Sequence, residues 1–558
     1  MTNRAISYQR FITALLALIL AGVNVYAVKT FDVLSSPVLF TTSVLGEMIL
    51  LVIALFYAVM GLAVRGNIVK SVALSAWGGI NKDSNVKKLR RTKSRFLRFT
   101  GRRLEIARPF GLPLTLVCVI AGYFLYHFIQ LLLGIVFEKQ VIQIDLRIVN
   151  LVPSIRTSMQ TTLFSFVTFL ANIEAVLFLL LLSTVILWIR RQRLLIAILV
   201  GMAVVEEACT FVLKVLIDRH RPDIALSLID EQSRSFPSGH VMRATVLFGV
   251  VAYLLFKSST STFSKLLVIL GYVTTVFLVA LSRVYLGVHY PSDVLGSLFF
   301  GAFLLTCMIG AIEIGTRYKL PAFKQLQFEN RLLWVVPAAL AVLSLLVGPS
   351  MLGLRTVPSS ITLTQLPRID QTTVQRLPLY SESLTGSHME PISFIYAGSE
   401  AQIMDAFIVR GWFRADASTI SNTLRAVSVG FQGGQYETAP VTPSYLNAQP
   451  ENLAFEKPTE TNTLRQRHHT RIWKTNFVVA DGRPIWVATA SYDQGVQLAG
   501  TSKLPTHHID PNIDGERMYI VQSLGLRATY LEVVKPQLGK NASGDAFFTD
   551  GRAAVITL

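Results

Sequence analysis

The sequence predicts an all-α multi-pass membrane helix bundle of about nine transmembrane helices, six of them forming a core, followed by a soluble α+β domain. Three observations predict it. Apolar residues make up 52% of the chain and charged residues only 15%, where soluble domains carry about a quarter charged. The apolar excess is concentrated before residue 353, in runs such as Gly111–Phe137 and Leu163–Trp188, each long enough for a helix of roughly 20 residues to cross a hydrocarbon core. The last ~200 residues lack such runs and read as a soluble domain.

Helices are expected near residues 11–28, 40–64, 111–136, 162–188, 194–216, 240–256, 264–281, 291–315 and 332–353. The first is long enough for a retained anchor. Val25-Tyr26-Ala27 resembles a small-residue cleavage site, so a cleaved signal peptide stands as the alternative. The domains follow: 1–110, two helices and a basic loop; 111–315, the six-helix core; 316–353, the last helix; 354–393, a polar Pro/Ser/Thr-rich linker; and 394–558, the α+β domain. In that domain, apolar alternation at Ile485–Ala490 and Met518–Val521 reads as strand, and the patterns at Ser399–Val409 and Ala417–Val427 read as helix.

Charge sets the orientation. The net charge is +18, and residues 65–110 hold thirteen Lys/Arg against Asp83 and Glu105. A basic loop between membrane helices marks the cytoplasmic side, facing anionic lipid, and this placement argues against nucleic acid as a partner. Segments 189–193, 257–265 and 316–331 carry further Lys/Arg and alternate correctly to share that side. The loops 137–161, 217–239 and 282–290, and everything after 353, then face outward from a bacterial inner membrane, with the N-terminus inside. Cys118, Cys209 and Cys307 all lie in apolar runs and offer no disulfide framework.

Three short segments stand at helix ends on the outward side: Lys214-Val-Leu-Ile-Asp-Arg-His-Arg221-Pro222, Pro237-Ser238-Gly239-His240, and Ser282-Arg283-Val-Tyr-Leu-Gly-Val-His289-Tyr-Pro-Ser-Asp293. Together they supply what phosphoryl transfer needs. Lys214, Arg221 and Arg283 give three cations for the phosphate oxygens, and arginine adds forked donors. Ser238 and the Gly239 amide stand at a helix start, where the dipole favours an anion and a side chain on Gly239 would obstruct a close backbone approach. His289 and Asp293 are four apart, so the carboxylate can hold one ring nitrogen and leave the other to attack phosphorus. His240 is then available to protonate the leaving oxygen and later to activate water.

Position for position, these segments resemble the type-2 phosphatidic-acid phosphatase superfamily: Lys-x6-Arg-Pro, Pro-Ser-Gly-His and Ser-Arg-x5-His-x3-Asp, eleven residues at set spacings. The resemblance covers roughly residues 111–315. It implies a phosphohistidine on His289, His240 as general acid, Asp293 as orienter, and a phosphate pocket of Lys214, Arg221, Ser238, Gly239 and Arg283. It also implies action on lipid phosphates or diphosphates from the outward face, with no metal and no cofactor. Arg108-Pro109 is a second Arg-Pro pair, but Gly101 stands where the lysine belongs.

Other groups read more blandly. Glu174, Glu206 and Glu207 interrupt apolar runs, and pairing with Arg243 accounts for the latter two better than catalysis does. In the C-terminal domain, His507, His508, Asp510 and Asp514 are zinc-type donors, but adjacent residues often point apart and turn or surface roles are favoured. This domain resembles the LssY-type C-terminal domain through Gly411-Trp412-Phe413-x-Ala415-Asp416, Arg471-Ile472-Trp473 and the Thr506–Arg517 stretch. No site is carried over from that resemblance.

The expected function is a membrane lipid phosphatase, on a polyprenyl diphosphate or monophosphate first and on phosphatidic acid or another phospholipid phosphate next. A lipid phosphotransferase with the same site is the nearest alternative. From another class, the chain is a non-catalytic scaffold whose C-terminal domain binds an envelope partner.

Overall fold

The computed structural model describes residue 103 and residues 111–558, apart from 224–225, 324–330, 352–362, 462–463, 465, 499–504 and 542–543. The helices expected at 11–28 and 40–64, and the basic loop at 65–110 apart from Arg103, lie outside the described residues. The described residues fall into two compact units: 111–138 with 157–351, and 139–156 with 363–558.

In chain order the first helices are α1 (Leu112–Phe137), α2 (Lys139–Leu151), α3 (Ser158–Phe169), α4 (Ile173–Ile189), α5 (Arg193–Ile217), α6 (Gly239–Ser258), α7 (Thr262–Tyr285), α8 (Pro291–Arg317) and α9 (Val335–Met351). All but α2 belong to the first unit. Five of them, α1, α5, α6, α7 and α8, are long and apolar enough to cross a membrane. Helices suit hydrocarbon because each pairs its own backbone N–H and C=O groups. The single span expected at 162–188 is instead the pair α3 and α4, bent by 45° at residues 170–172, and counting that pair as one span gives six. The span expected at 332–353 is a 17-residue helix, α9, entered through a 3₁₀ turn at Arg331–Trp334, and it is not among the five. Of the seven spans expected among the described residues, six are therefore reached when the bent pair counts as one.

Helix α6 is buried on almost every side and forms the axis of the unit. Lipid gives helices no hydrophobic reason to associate, so close packing must come from small residues and polar contacts. Ser297 and Gly301, one turn apart on α8, provide both. The Ser297 hydroxyl accepts from the Ser238 amide at 2.8 Å, and a Cβ on Gly301 would stand 2.9 Å from Thr245 of α6. At Gly296 a Cβ would lie 2.5 Å from the Phe236 ring, so glycine lets α8 seat the turn that carries Ser238.

The second unit is built on a nine-stranded sheet: β1 (Thr364–Leu366), β2 (Phe394–Ala397), β3 (Phe413–Arg414), β4 (Leu453–Pro458), β5 (Arg467–Val479), β6 (Pro484–Leu498), β7 (Pro505–Ile509), β8 (Thr529–Glu532) and β9 (Arg552–Thr557). The strand order is β8-β9-β2-β6-β5-β4-β3, with β1 added parallel to β5 and β7 antiparallel to β6. Period-2 alternation puts Trp486 and Ala488 in the core of one face, with Phe394 and Tyr396, and Ile485 and Val487 in that of the other, with Ile395. Helices α10 (Glu400–Ile408), α11 (Ile420–Gln432) and α12 (Ile513–Leu524) complete an α+β domain.

Three sequence readings change here. Met518–Val521 is helical, part of α12: Asn512 caps Gly515 N, Gly525 ends the helix at φ +63, and buried Ile513, Glu516, Arg517, Ile520 and Leu524 keep helical spacing. The stretch read as a linker, 354–393, holds β1 and the strands Tyr380–Glu382 and His388–Pro391. The stretch read as an outward loop, 137–161, holds α2, which packs within the second unit. Buried Arg147 of α2 pairs with Glu382 at 2.5 Å, and Asn150 Nδ2 donates to the Ala448 carbonyl at 2.8 Å.

Candidate active site

The site lies at one end of α5, α6, α7 and α8, within the first unit. It is assembled by how these helices stop and start. Helix α7 ends in a Schellman turn: the Val288 amide donates to the Arg283 carbonyl, the Gly287 amide donates to the Val284 carbonyl, and Gly287 takes φ +75. That turn turns the chain back and places His289 two residues before α8. Helix α8 begins at Pro291, where a missing N–H costs nothing, and Asp293 stands in its first turn. His289 is thus in the turn rather than on the helix. Its Nδ1 lies 3.5 Å from Asp293 Oδ2, at the outer edge of hydrogen-bond range.

Asp293 is held from several sides. Arg219 Nη1 donates to Oδ1 at 2.6 Å, the Tyr290 amide donates to Oδ2 at 2.9 Å, and the Ser235 hydroxyl donates to Oδ2. Across the ring, Arg221 Nη1 stands 3.1 Å from His289 Nε2. A guanidinium can only donate, so Nε2 carries the lone pair and the ring proton sits on Nδ1, facing Asp293. Burial first, and then Arg221, push His289 down to about 4, so it is a neutral imidazole at pH 7.

His240 is the second residue of α6. Its Nε2 is 2.7 Å from Asn172 Oδ1, which can only accept, so Nε2 carries the proton and Nδ1 faces the centre of the site. Asn172 occupies the N-cap position of α4, yet its side chain makes no cap bond. The break between α3 and α4 therefore serves His240 rather than the helix. Ser238 N-caps α6, but its buried hydroxyl does not cap the helix and has no partner among the described residues. A Cβ on Gly239 would meet the Arg243 guanidinium at 3.6 Å, an ordinary contact, so the protein's own packing does not demand glycine there.

The cations converge. Arg283, 1% exposed, donates to Thr168 Oγ1 at 2.7 Å and to Glu231 Oε1. Arg221 Nη2 lies 2.6 Å from Glu231 Oε2 and 2.9 Å from Ser233 Oγ, and Lys214 Nζ donates to the same Ser233 hydroxyl at 2.9 Å. The Glu231 carboxylate stands 4.0 Å from His240 Nδ1 and 4.0 Å from His289 Nε2. Burial alone would raise that carboxyl, but Arg283, His240, His289 and Arg221 together hold it far below the usual carboxylate range.

All eight residues singled out from the sequence thus stand at the same end of the helices. Asn172, Arg219, Glu231, Ser233 and Ser235 were not singled out. They lie outside the three short segments, apart from Arg219 within the first. Glu207 pairs with Arg243 at 3.2 Å and Glu206 accepts from Thr210 at 3.1 Å. In the second unit, Asp514 is bound to Thr549 and Arg517, and His508 to Asp545. No group of three or more His, Cys, Asp or Glu placed to hold a metal ion occurs among the described residues.

Comparison with known proteins agrees with both resemblances. Residues 193–313 match the PAP2 superfamily, and residues 374–553 match the LssY C-terminus. Over 110 residues the chain is 44% identical to phosphatidylglycerophosphatase B of Bacillus subtilis (strain 168), covering 19% of this chain and 53% of that protein. It therefore spans about half the length of that curated relative. A solved transmembrane PAP2 type phosphatidylglycerolphosphate phosphatase from Bacillus subtilis is 28% identical with a TM-score of 0.31, covering 36% of this chain and 97% of the other. LpxE of Aquifex aeolicus is 23% identical with a TM-score of 0.25, covering 30% and 94%.

Proposed function

We propose that this chain, whose residues 193–313 carry a PAP2-superfamily core, hydrolyses the terminal phosphate of a lipid phosphate or diphosphate at the outward face of a bacterial inner membrane. One observation carries the reading: two imidazoles, His240 through Nδ1 and His289 through Nε2, flank a single anion-holding point, each 4.0 Å from the carboxylate that Arg221 and Arg283 grip. A tetrahedral phosphoryl group suits that point, with its oxygens on the two guanidiniums and the Ser238 hydroxyl.

In the first step His289 Nε2 forms a bond to phosphorus and the bond from phosphorus to the leaving oxygen breaks, while His240, protonated, gives its Nδ1 proton to that oxygen. Asp293 steadies the Nδ1–H of the phosphorylated ring, and Arg219, Ser235 and the Tyr290 amide keep Asp293 in place. In the second step His240 Nδ1 takes a proton from water, water oxygen bonds to phosphorus, and the P–N bond breaks to release phosphate and free His289. The positive charge comes from side chains, so turnover is expected with chelator present.

Polyprenyl diphosphate is the favoured substrate. The name of the Bacillus subtilis relative places phosphatidylglycerophosphate among the phospholipid phosphates to assay beside it. Phosphate release from a panel of short-chain lipid phosphates in detergent, with chelator, is expected from wild type and lost in His289→Ala. Equal release by both proteins would overturn the reading. Protease added to spheroplasts is expected to cleave the C-terminal domain, and protection would overturn the orientation.

A further inference from the structure

Resting on that reading of the site, we infer that Glu231 determines specificity: its carboxylate occupies the place of the substrate phosphoryl group and admits terminal phosphates while turning away phosphodiesters. Glu231 belongs to none of the three short segments, and it lies in the loop between α5 and α6. Its two oxygens take the two guanidiniums that the phosphate would need, Oε1 from Arg283 and Oε2 from Arg221, and both histidines face it at equal distance. A carboxylate so placed is a built-in competitor.

Exchange of ligands then depends on charge. A terminal phosphate at neutral pH carries close to two negative charges and three terminal oxygens, so it gains more from Arg221, Arg283 and Lys214 than one carboxylate does. A phosphodiester carries one negative charge and two free oxygens, the same equipment as Glu231, and gains nothing by the exchange. Ordinary phospholipid headgroups are phosphodiesters and surround the site in large excess. A competitor of matched charge keeps them off the arginines, and a dianion, with its second charge and third oxygen, displaces it. The Glu231 side chain is 21% exposed, which leaves it a route out when a stronger anion arrives.

Anion binding to full-length protein in detergent tests this without turnover. Calorimetry with inorganic phosphate and with dimethyl phosphate is expected to show phosphate binding and dimethyl phosphate bound far more weakly in wild type. In Glu231→Gln, affinity for dimethyl phosphate is expected to rise between about ten- and a hundred-fold, the range a charge-assisted hydrogen bond commands, and to rise by less for phosphate, so that discrimination narrows. Glu231→Ala with added acetate serves as the second arm: acetate is expected to restore the discrimination that the alanine removes. Unchanged discrimination in Glu231→Gln, or no effect of acetate on Glu231→Ala, overturns the inference. Should both arms behave as expected while no lipid phosphate is hydrolysed, the proposed activity fails and the anion selectivity stands.

Discussion

Both units of the molecule bury charge, and they do it differently. In the first, Lys214, Arg219, Arg221 and Arg283 face Glu231 and Asp293, four cations against two anions, and Arg221 and Arg283 aim at one point between two histidines. In the second, Glu456, Arg467, His469 and Asp493 form a more deeply buried cluster on one face of the sheet. There the ladder itself does the pairing, since Glu456 lies opposite His469 and Arg467 opposite Asp493. Arg467 donates to Glu456 at 2.5 Å and lies 3.4 Å from Asp493. Burial raises Glu456 to about 8 despite Arg467, and burial lowers His469 to about 4, so at pH 7 one cation faces one anion. The lesson is that buried charge alone does not mark a site. Surplus charge aimed at a common point does.

The largest effect should separate the two clusters outright. His289→Ala is expected to lower phosphate release from a lipid phosphate by about 10³-fold or more, as loss of a nucleophile does. His469→Ala, which removes an equally buried histidine, is expected to leave release unchanged. Comparable losses in both would erase the distinction. Arg467→Ala is the counterpart in the sheet. Removing one partner of a buried ion network costs about 3–5 kcal/mol, because Asp493 loses the guanidinium beside it. Hydrogen exchange at β5 and β6 amides in the full-length protein reads that loss as faster local opening. If exchange there is unaltered, the cluster is not structural.

The two units were also unequally legible in the sequence. Lys214, Arg221, Ser238, Gly239, His240, Arg283, His289 and Asp293 could be named because each sits at a set spacing within a short segment. Glu231, Ser233 and Asn172 have no such spacing and are brought in by loop closure and by a helix break. Asn172 left one local trace, a lone amide between the apolar runs of α3 and α4. The break itself was hidden because Leu170 and Ala171 keep the stretch apolar. In the sheet, the alternation at Ile485–Ala490 was readable because two packed faces impose it. The Met518–Val521 pattern misled because four residues fit a strand as well as one turn of α12.

A smaller effect probes the support of the site. Arg219 touches no reacting atom on this reading and acts through Asp293, so it is a positioning residue. Arg219→Ala is expected to lower kcat about 10- to 100-fold, the scale of a misplaced catalytic group, with KM little changed. Arg219→Lys, which keeps the charge, should recover part of it. A change confined to KM would instead place Arg219 among the phosphate-binding cations.

The finest test uses pH on the neutral cluster of the sheet. Glu456 is raised in the folded state, so its stability is present at low pH and is lost as pH rises towards about 8. His469 is lowered, so its stability is present above its ordinary value of 6.5 and is lost as pH falls towards about 4. Between the ordinary carboxyl value of 4.5 and 6.5, the folded protein holds its proton on Glu456 while the unfolded chain holds one on the histidine. Net uptake is zero there, and the slopes cancel. From pH 6.5 to 8 only Glu456 acts, and local stability should fall by roughly 1 kcal/mol per pH unit. Exchange rates at β4 and β5 amides, normalised to their intrinsic pH dependence, follow this directly. Glu456→Gln should abolish the alkaline slope and expose the opposite, acidic one from His469. If the substituted protein keeps the wild-type profile, proton exchange between these two cross-strand partners does not govern the sheet.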